Sequence, residues 1–280
     1  MKKVLFLAMG LATMLNLASC SSDDDGNYGN GKKCLAEITV KEHPWKFGES
    51  SNYGEDYESY KYDEKGNLLE KITNYYSTST KTRIWNRYLY TYDDRNRLIE
   101  MDVWAGGYFK HKYQYNEFDS LSVAYRYDSE GKTLSEYTYE YDNNRRLSKK
   151  TEHVPYMGPD YKYVSVYSYD GNTVKEVTTL FTNVLKDFKS STMVWEYDSN
   201  KHLIKETYTD DVTSLMKIDN TYEYNAKGQL SRKTSREYAI GDDFSYRDYY
   251  YNEDGTIDRI HVSYSFKDDQ SDLVYTYIWK

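Results

Sequence analysis

Five histidines, 45 carboxylates, two cysteines and five tryptophans are the residues of this 280-residue chain best suited to chemistry. An enzyme that works by metal or by proton transfer gathers such groups at short, defined spacings. His43, His111, His153, His202 and His261 lie 68, 42, 49 and 59 residues apart, and no pair has a metal-ligand spacing. HExxH, CxxC, GxSxG and a phosphate-binding glycine loop are all missing. His153 beside Glu152 is the most acid/base-like juxtaposition, but a histidine on a strand surface accounts for it better. Two carboxylates facing each other inside a barrel would hydrolyse glycosides. Most of the aspartates, however, fill the same slot of a repeated turn, and a catalytic pair has no reason to recur. Asp23-Asp24-Asp25-Gly26 lacks the spaced ligands and distal Glu of a calcium loop. The expectation is therefore no catalytic residue, no metal and no cofactor. Trp85, Trp104 and Trp195 remain: with tyrosines they can stack on the flat apolar face of a sugar ring, and core packing is the competing account.

Cys20 is different, because of what precedes it. Met1-Lys2-Lys3 is basic, and Val4 to Ala18 is apolar but for Gly10, Thr13 and Asn16, the pattern of a secretory signal. Leu17-Ala18-Ser19-Cys20 resembles the bacterial lipobox, and that resemblance implies cleavage before Cys20 and lipid attachment to its sulfur. A thiol is the strongest nucleophile available for such a step, and more than one fatty acyl chain, palmitate for example, makes anchoring durable. Ser21-Ser22-Asp23-Asp24-Asp25 resembles the acidic export signal of Bacteroidetes surface lipoproteins, which implies an outer-membrane, outward-facing protein. Residues 1–19 are thus expected to be a signal peptide, 20–33 a lipidated tether and 34–280 a single domain. Cys34 then has no intramolecular partner, so no disulfide framework exists. It is expected to be a small, half-buried residue opening the first strand.

What fills residues 34–280 is set by tyrosine, which supplies 35 of 280 positions, one in eight. Without it, the 39% hydrophobic fraction leaves about a quarter of the chain for an aliphatic core, thin for a helical globule. The tyrosines are ordered. Tyr-Asp/Asn, four variable residues, then Leu or Ile recurs from Tyr62, Tyr92, Tyr115, Tyr141, Tyr197, Tyr224 and Tyr251, with Tyr127 and Tyr169 opening variants one residue longer or shorter. Leaving out Tyr127, the average step is 27 residues, enough for two strands and two turns. Tyrosines at every second position, as in Tyr88-Tyr90-Tyr92 and Tyr137-Tyr139-Tyr141, carry the period of a strand. The Asp or Asn can bond its own backbone ahead, and Gly66, Gly228, Gly255 and once Asn96 supply the positive φ of a turn.

Roughly 16–18 strands joined by short loops must pair antiparallel in an up-and-down meander, an all-β fold. The units resemble the YD repeats of bacterial cell-surface and Rhs-type proteins over Tyr57 to Trp279. Rhs-type shells use many more copies and carry a protease and toxin region absent here, so encapsulation is not implied. Lipobox plus YD hairpins at this length resembles a Bacteroidetes lipoprotein domain described as porin-like in fold, which implies a closed barrel; an open twisted single-layer sheet is the alternative.

Tyr275-Tyr277-Trp279 resembles the aromatic end of outer-membrane barrels, but Lys280 stands where that signal has its terminal aromatic. Between the tyrosines stand Arg87, Lys110, Lys112, Glu136 and Glu140, and charge on a lipid-facing wall costs about 2 to 4 kcal/mol per Lys or Arg at the midplane. A soluble barrel hung from a lipid is expected over a channel. The formal charge is −8, or −10 once Lys2 and Lys3 are removed with the signal, which disfavours nucleic acid. The functional expectation is a non-catalytic surface binding or scaffold module. Its partners are the membrane, through Cys20, and a glycan or another surface protein. A carbohydrate-binding accessory or carbohydrate-active enzyme is the runner-up.

Overall fold

The computed structural model describes residues 35–44, 56–77, 82–182, 188–212, 216–238, 243–264 and 270–279. Residues 1–19 and 20–33, expected to be signal and tether, with Cys20 and Cys34, lie outside them. The described residues form eighteen strands: β1 (Leu35–Pro44), β2 (Asp56–Tyr62), β3 (Leu68–Ser77), β4 (Thr82–Tyr92), β5 (Leu98–Trp104), β6 (Tyr108–Tyr115), β7 (Leu121–Tyr127), β8 (Thr133–Tyr141), β9 (Leu147–His153), β10 (Lys162–Asp170), β11 (Thr173–Phe181), β12 (Phe188–Tyr197), β13 (Leu203–Asp210), β14 (Lys217–Tyr224), β15 (Leu230–Glu237), β16 (Asp243–Tyr251), β17 (Ile257–Tyr264) and β18 (Gln270–Trp279). Each pairs antiparallel with its neighbours in sequence, and β1 pairs with β18, so the meander closes on itself. The open-sheet alternative is set aside by that last ladder, in which Ile38 faces Tyr277 and Val40 faces Tyr275.

The YD unit builds the hairpins as its residues dictate. Asp63 Oδ1 accepts from the backbone N–H groups of Lys65 and Asn67, and Asp93, Asn116, Asp128, Asp142, Asp198 and Asn225 repeat the pattern. Three residues after the Asp or Asn the chain takes positive φ, at Gly66, Asn96, Gly228 and Gly255 as expected, and also at Asp119, Gly131, Arg145 and Lys201. After the turn, Tyr62 pairs with Leu68 while Lys61 pairs with Glu70, so Leu69 is bulged out; the same shift recurs at Tyr92, Tyr115, Tyr127, Tyr141, Tyr197, Tyr224 and Tyr251. A bulge at each hairpin sharpens the local twist that a barrel rim requires.

All the YD turns except the one after Tyr127 connect an even strand to the next odd strand, and so lie on one rim, the turn rim. Leu35, paired with Trp279, stands at that rim too. The turn after Tyr127 and the segment between β9 and β10, with its single 3-10 turn at Pro155–Met157, belong to the opposite loop rim. Eighteen strands about 4.8 Å apart and tilted by about 40° make a wall roughly 110 Å around, wider than side chains fill. Among the described residues, substantial approaches between elements are confined to ladder neighbours, apart from the Pro155–Met157 turn against β8.

Candidate functional site in the barrel lumen

Alternate residues of each strand point to opposite faces of the wall. On one face, groups interact with strands two places away: Tyr90 with Tyr113, Tyr113 with Tyr137, Tyr139 with Tyr167, Tyr222 with Tyr249, and Tyr60 with Tyr275. Ring approaches of that kind recur all round this face, as the concave side of a closed sheet brings side chains together, so the tyrosines line the lumen. Burial pushes the hydroxyls of Tyr62, Tyr113 and Tyr137 up to about 12, and those of Tyr90, Tyr139 and Tyr275 higher. The other face carries ion pairs between adjacent strands: Lys61–Glu70 at 2.8 Å, Lys110–Glu100 at 2.6 Å, Lys149–Glu140 at 2.7 Å and Arg232–Asp248 at 2.5 Å.

Two tyrosine girdles ring the lumen at the turn rim. The first girdle runs from Tyr62 on β2 to Tyr277 on β18; β2, β4, β6, β8, β12, β14 and β16 end in it, β10 ends one residue past its girdle tyrosine, Tyr169, and β18 two residues past Tyr277. Two residues earlier runs the second, from Tyr60 to Tyr275, with Trp195 in its β12 place. The first girdle is clamped from repeat to repeat. Tyr115 Oη donates to the carbonyl of Leu98 at 2.7 Å, and Tyr92, Tyr141, Tyr169, Tyr224, Tyr251 and Tyr277 donate likewise to Leu68, Leu121, Leu147, Leu203, Leu230 and Ile257. The residue before that Leu covers the same ring: the Arg97 guanidinium lies 4.8 Å from the Tyr115 centroid, Arg146 4.3 Å from Tyr169, and the His202 ring 4.5 Å from Tyr224. The spacing of Tyr and Leu in the motif therefore joins one hairpin to the next.

Towards the loop rim the lumen wall turns polar. Lys71 pairs with Glu58 at 3.6 Å and Lys150 with Glu176 at 3.5 Å. Glu206 accepts from Tyr222 and Asn220, and burial lowers the Lys233 pKa. His111 is held neutral, with its pKa pushed down to about 4 by burial and then by Arg126, whose guanidinium stacks 4.3 Å from the Phe109 ring. On β9 to β13 this zone opens into a recess of about 410 Å³. Its floor is a row of small hydroxyls, Ser165, Thr178 and Ser191, on three adjacent strands, with Ser165 and Thr178 bonded at 2.8 Å. Tyr163 and Tyr208 flank the row. Lys150 stands at one end of the row and Asp210 at the other, and Glu152, opposite Tyr163, accepts from Ser135 at 2.9 Å and Tyr137 at 2.8 Å.

The sequence candidates divide between the faces. Trp195 is in the lumen, opposite Val174 and Glu206. Trp85 and Trp104 point outward, 56% and 38% exposed, with Arg87 5.8 Å from the Trp104 ring and the Tyr108 ring tilted against it at 5.2 Å. The three are not brought together. His153 and Glu152 lie on opposite faces, and His153 Nε2 is 2.9 Å from the Pro159 carbonyl. Among the described residues, no three His, Cys, Asp or Glu side chains are grouped to hold a metal. The recess was not anticipated from sequence. Ser165 and Ser191 keep the parity of Tyr169 and Tyr197, a signal that places them on the tyrosine face.

No family model matches the chain. It is similar to the tRNA3(Ser)-specific nuclease WapA of Bacillus spizizenii, 28% identical over 185 residues, which is 60% of this chain and 7% of that protein. The chain thus spans a small fraction of the curated relative it matches. Among solved structures it is similar to a porin-like protein from Bacteroides uniformis, at 12% identity and a TM-score of 0.47, covering 87% of this chain and 96% of that one. A porin-like protein from Bacteroides vulgatus gives 11% identity and a TM-score of 0.35, covering 74% and 97%.

Proposed function

We propose that the chain is a non-catalytic binding module, a barrel held at the outer surface of the outer membrane by lipid on Cys20, with its ligand site in the lumen. The distribution of the two faces carries this reading. Cross-strand ion pairs on the outer wall suit water, since each Lys or Arg would cost about 2 to 4 kcal/mol at a bilayer midplane. Leu35 stands at the turn rim, so a tether entering there directs the loop rim away from the membrane. The lumen offers tyrosine hydroxyls and paired charges to a polar ligand.

Fractionation tests the anchoring. A Cys20→Ala form is expected to leave the membrane without detergent, and one that still needs detergent overturns the soluble barrel. Protease added to intact cells should trim the mature protein; full protection overturns surface exposure. Turnover of a bound glycan that Glu152→Gln abolishes would favour the enzyme reading, for which the hydrogen-bonded Glu152 carboxylate in the recess is the supporting observation.

A further inference from the structure

We infer that the recess on β9 to β13 binds a short stretch of a neutral oligosaccharide, entering from the loop rim; this rests on the binding-module reading and gives it a place and a ligand class. Its size falls within the roughly 300–1,000 Å³ of small-molecule sites. Ser165, Thr178 and Ser191 leave the floor low where larger neighbours would fill it; Ser165 is buried beneath the floor and bonded to Thr178, while Thr178 and Ser191 bring hydroxyls that can donate and accept. Tyr163 and Tyr208 rise on either side, and an aromatic wall takes the apolar face of a pyranose. Sugar hydroxyls are donors in need of strong acceptors, and two carboxylates of the recess, Glu152 opposite Tyr163 and Asp210 beyond Ser191, supply them.

Charge selects neutral over acidic sugars. The recess is lined by Glu152 and Asp210 against one cation, Lys150, and that cation is already paired with Glu176 at 3.5 Å. The next lumen cations along the wall are Arg126 on β7, stacked on Phe109, and Lys233 on β15, which faces the Glu206 carboxylate. A uronate or sulfate would meet net negative charge in a partly desolvated site, where like-charge repulsion is least screened. The outward pair Trp85 and Trp104 offers aromatic surface without this row of hydroxyls.

Calorimetric titration of the full lipoprotein in detergent with cellopentaose, mannopentaose, xylopentaose and a galacturonate pentamer tests the assignment. At least one neutral pentasaccharide should bind, about tenfold or more tighter than the acidic one. Tyr208→Ala and the floor-filling Ser191→Leu should each weaken it by about tenfold or more, while Tyr208→Phe and Trp85→Ala stay within about threefold. Thermal melts establish that each variant is folded, and the two independent substitutions guard against one that is not. Tighter binding of the galacturonate, or no neutral binding at millimolar sugar, overturns the inference. Binding lost with Trp85→Ala and Trp104→Ala but kept in Tyr208→Ala moves the site to the outer wall, overturning the recess while sparing the binding module. A Cys20→Ala form that needs detergent overturns the lipid-held soluble barrel and leaves the recess standing.

Discussion

The hydroxyl of Tyr115 shows why the repeat is written with tyrosine and not phenylalanine. Its ring packs under Arg97, which phenylalanine would also permit, but its Oη reaches the Leu98 carbonyl of the preceding hairpin at 2.7 Å. Tyr115→Phe should therefore lower stability by about 1 kcal/mol, the net worth of one hydrogen bond, seen as a lower urea midpoint at unchanged slope. Tyr246 is the control: it faces outward with Arg232 5.3 Å from its ring, and Tyr246→Phe should change the midpoint little. The turn contains a second residue-level cost. Arg145 and Lys201 hold φ of 60° and 68°, where a Cβ is strained by roughly 1–2 kcal/mol, and their backbones do what Gly66 does freely. Glycine gives back part of that gain through greater freedom in the unfolded chain, so Arg145→Gly should stabilise the barrel by about 0.5–1 kcal/mol in the same measurement. A loss would mean that the stacking of Arg145 4.5 Å from the Phe118 ring outweighs the strain.

At the scale of the element, strands and turns were legible because each YD unit specifies itself locally. What the sequence concealed is orientation, since the tyrosine and charged faces are both partly polar and neither declares itself the inside. Parity does settle part of the candidate site: Trp195 is two residues from Tyr197 and shares its face, while Trp85 is three from Tyr88 and cannot. Trp104 escapes that rule. The bulge at Ile99 inverts the count from Leu98, so Met101 and Val103, facing Tyr90 and Tyr88, point inward and Trp104 outward. The same bulge at Ile204 placed Tyr208 and Asp210 in the recess beyond the reach of alternation. Closure too has no local signal, because β1 and β18 are joined by no turn. Their seam is instead packed with aliphatics: Leu35, Ile38 and Val40 are 2%, 0% and 0% exposed, against Leu273, Tyr275 and Tyr277. Ile38→Ala should cost about 2–5 kcal/mol in chemical denaturation, as a full cavity does. A loss below about 1 kcal/mol would show that the seam contributes little to holding the ring shut.

For the whole molecule, the tyrosine lining replaces much of the dry aliphatic centre that the composition lacks, and that makes the barrel's stability depend on alkaline pH. Burial raises the pKa of Tyr62, Tyr92, Tyr113 and Tyr137 to about 12, and of Tyr90, Tyr139, Tyr275 and Tyr277 further. In the unfolded chain each titrates near 10. Below about pH 10 both states hold these protons, and the stabilisation is fully present. As pH rises from about 10 towards 12 the unfolded chain releases protons that the folded lumen retains, so stability falls with pH, and the contributions of the many tyrosines accumulate. A single buried tyrosine would produce a gentle slope; two girdles of them should produce a collapse. Tyrosinate absorbance followed with far-ultraviolet circular dichroism is expected to show a late, steep rise in ionisation at about pH 11–12 that coincides with loss of the strand signal. Ionisation of nearly all tyrosines around pH 10 with the strand signal intact would mean that the hydroxyls are fully solvated, and the lumen-facing girdles would have to be abandoned.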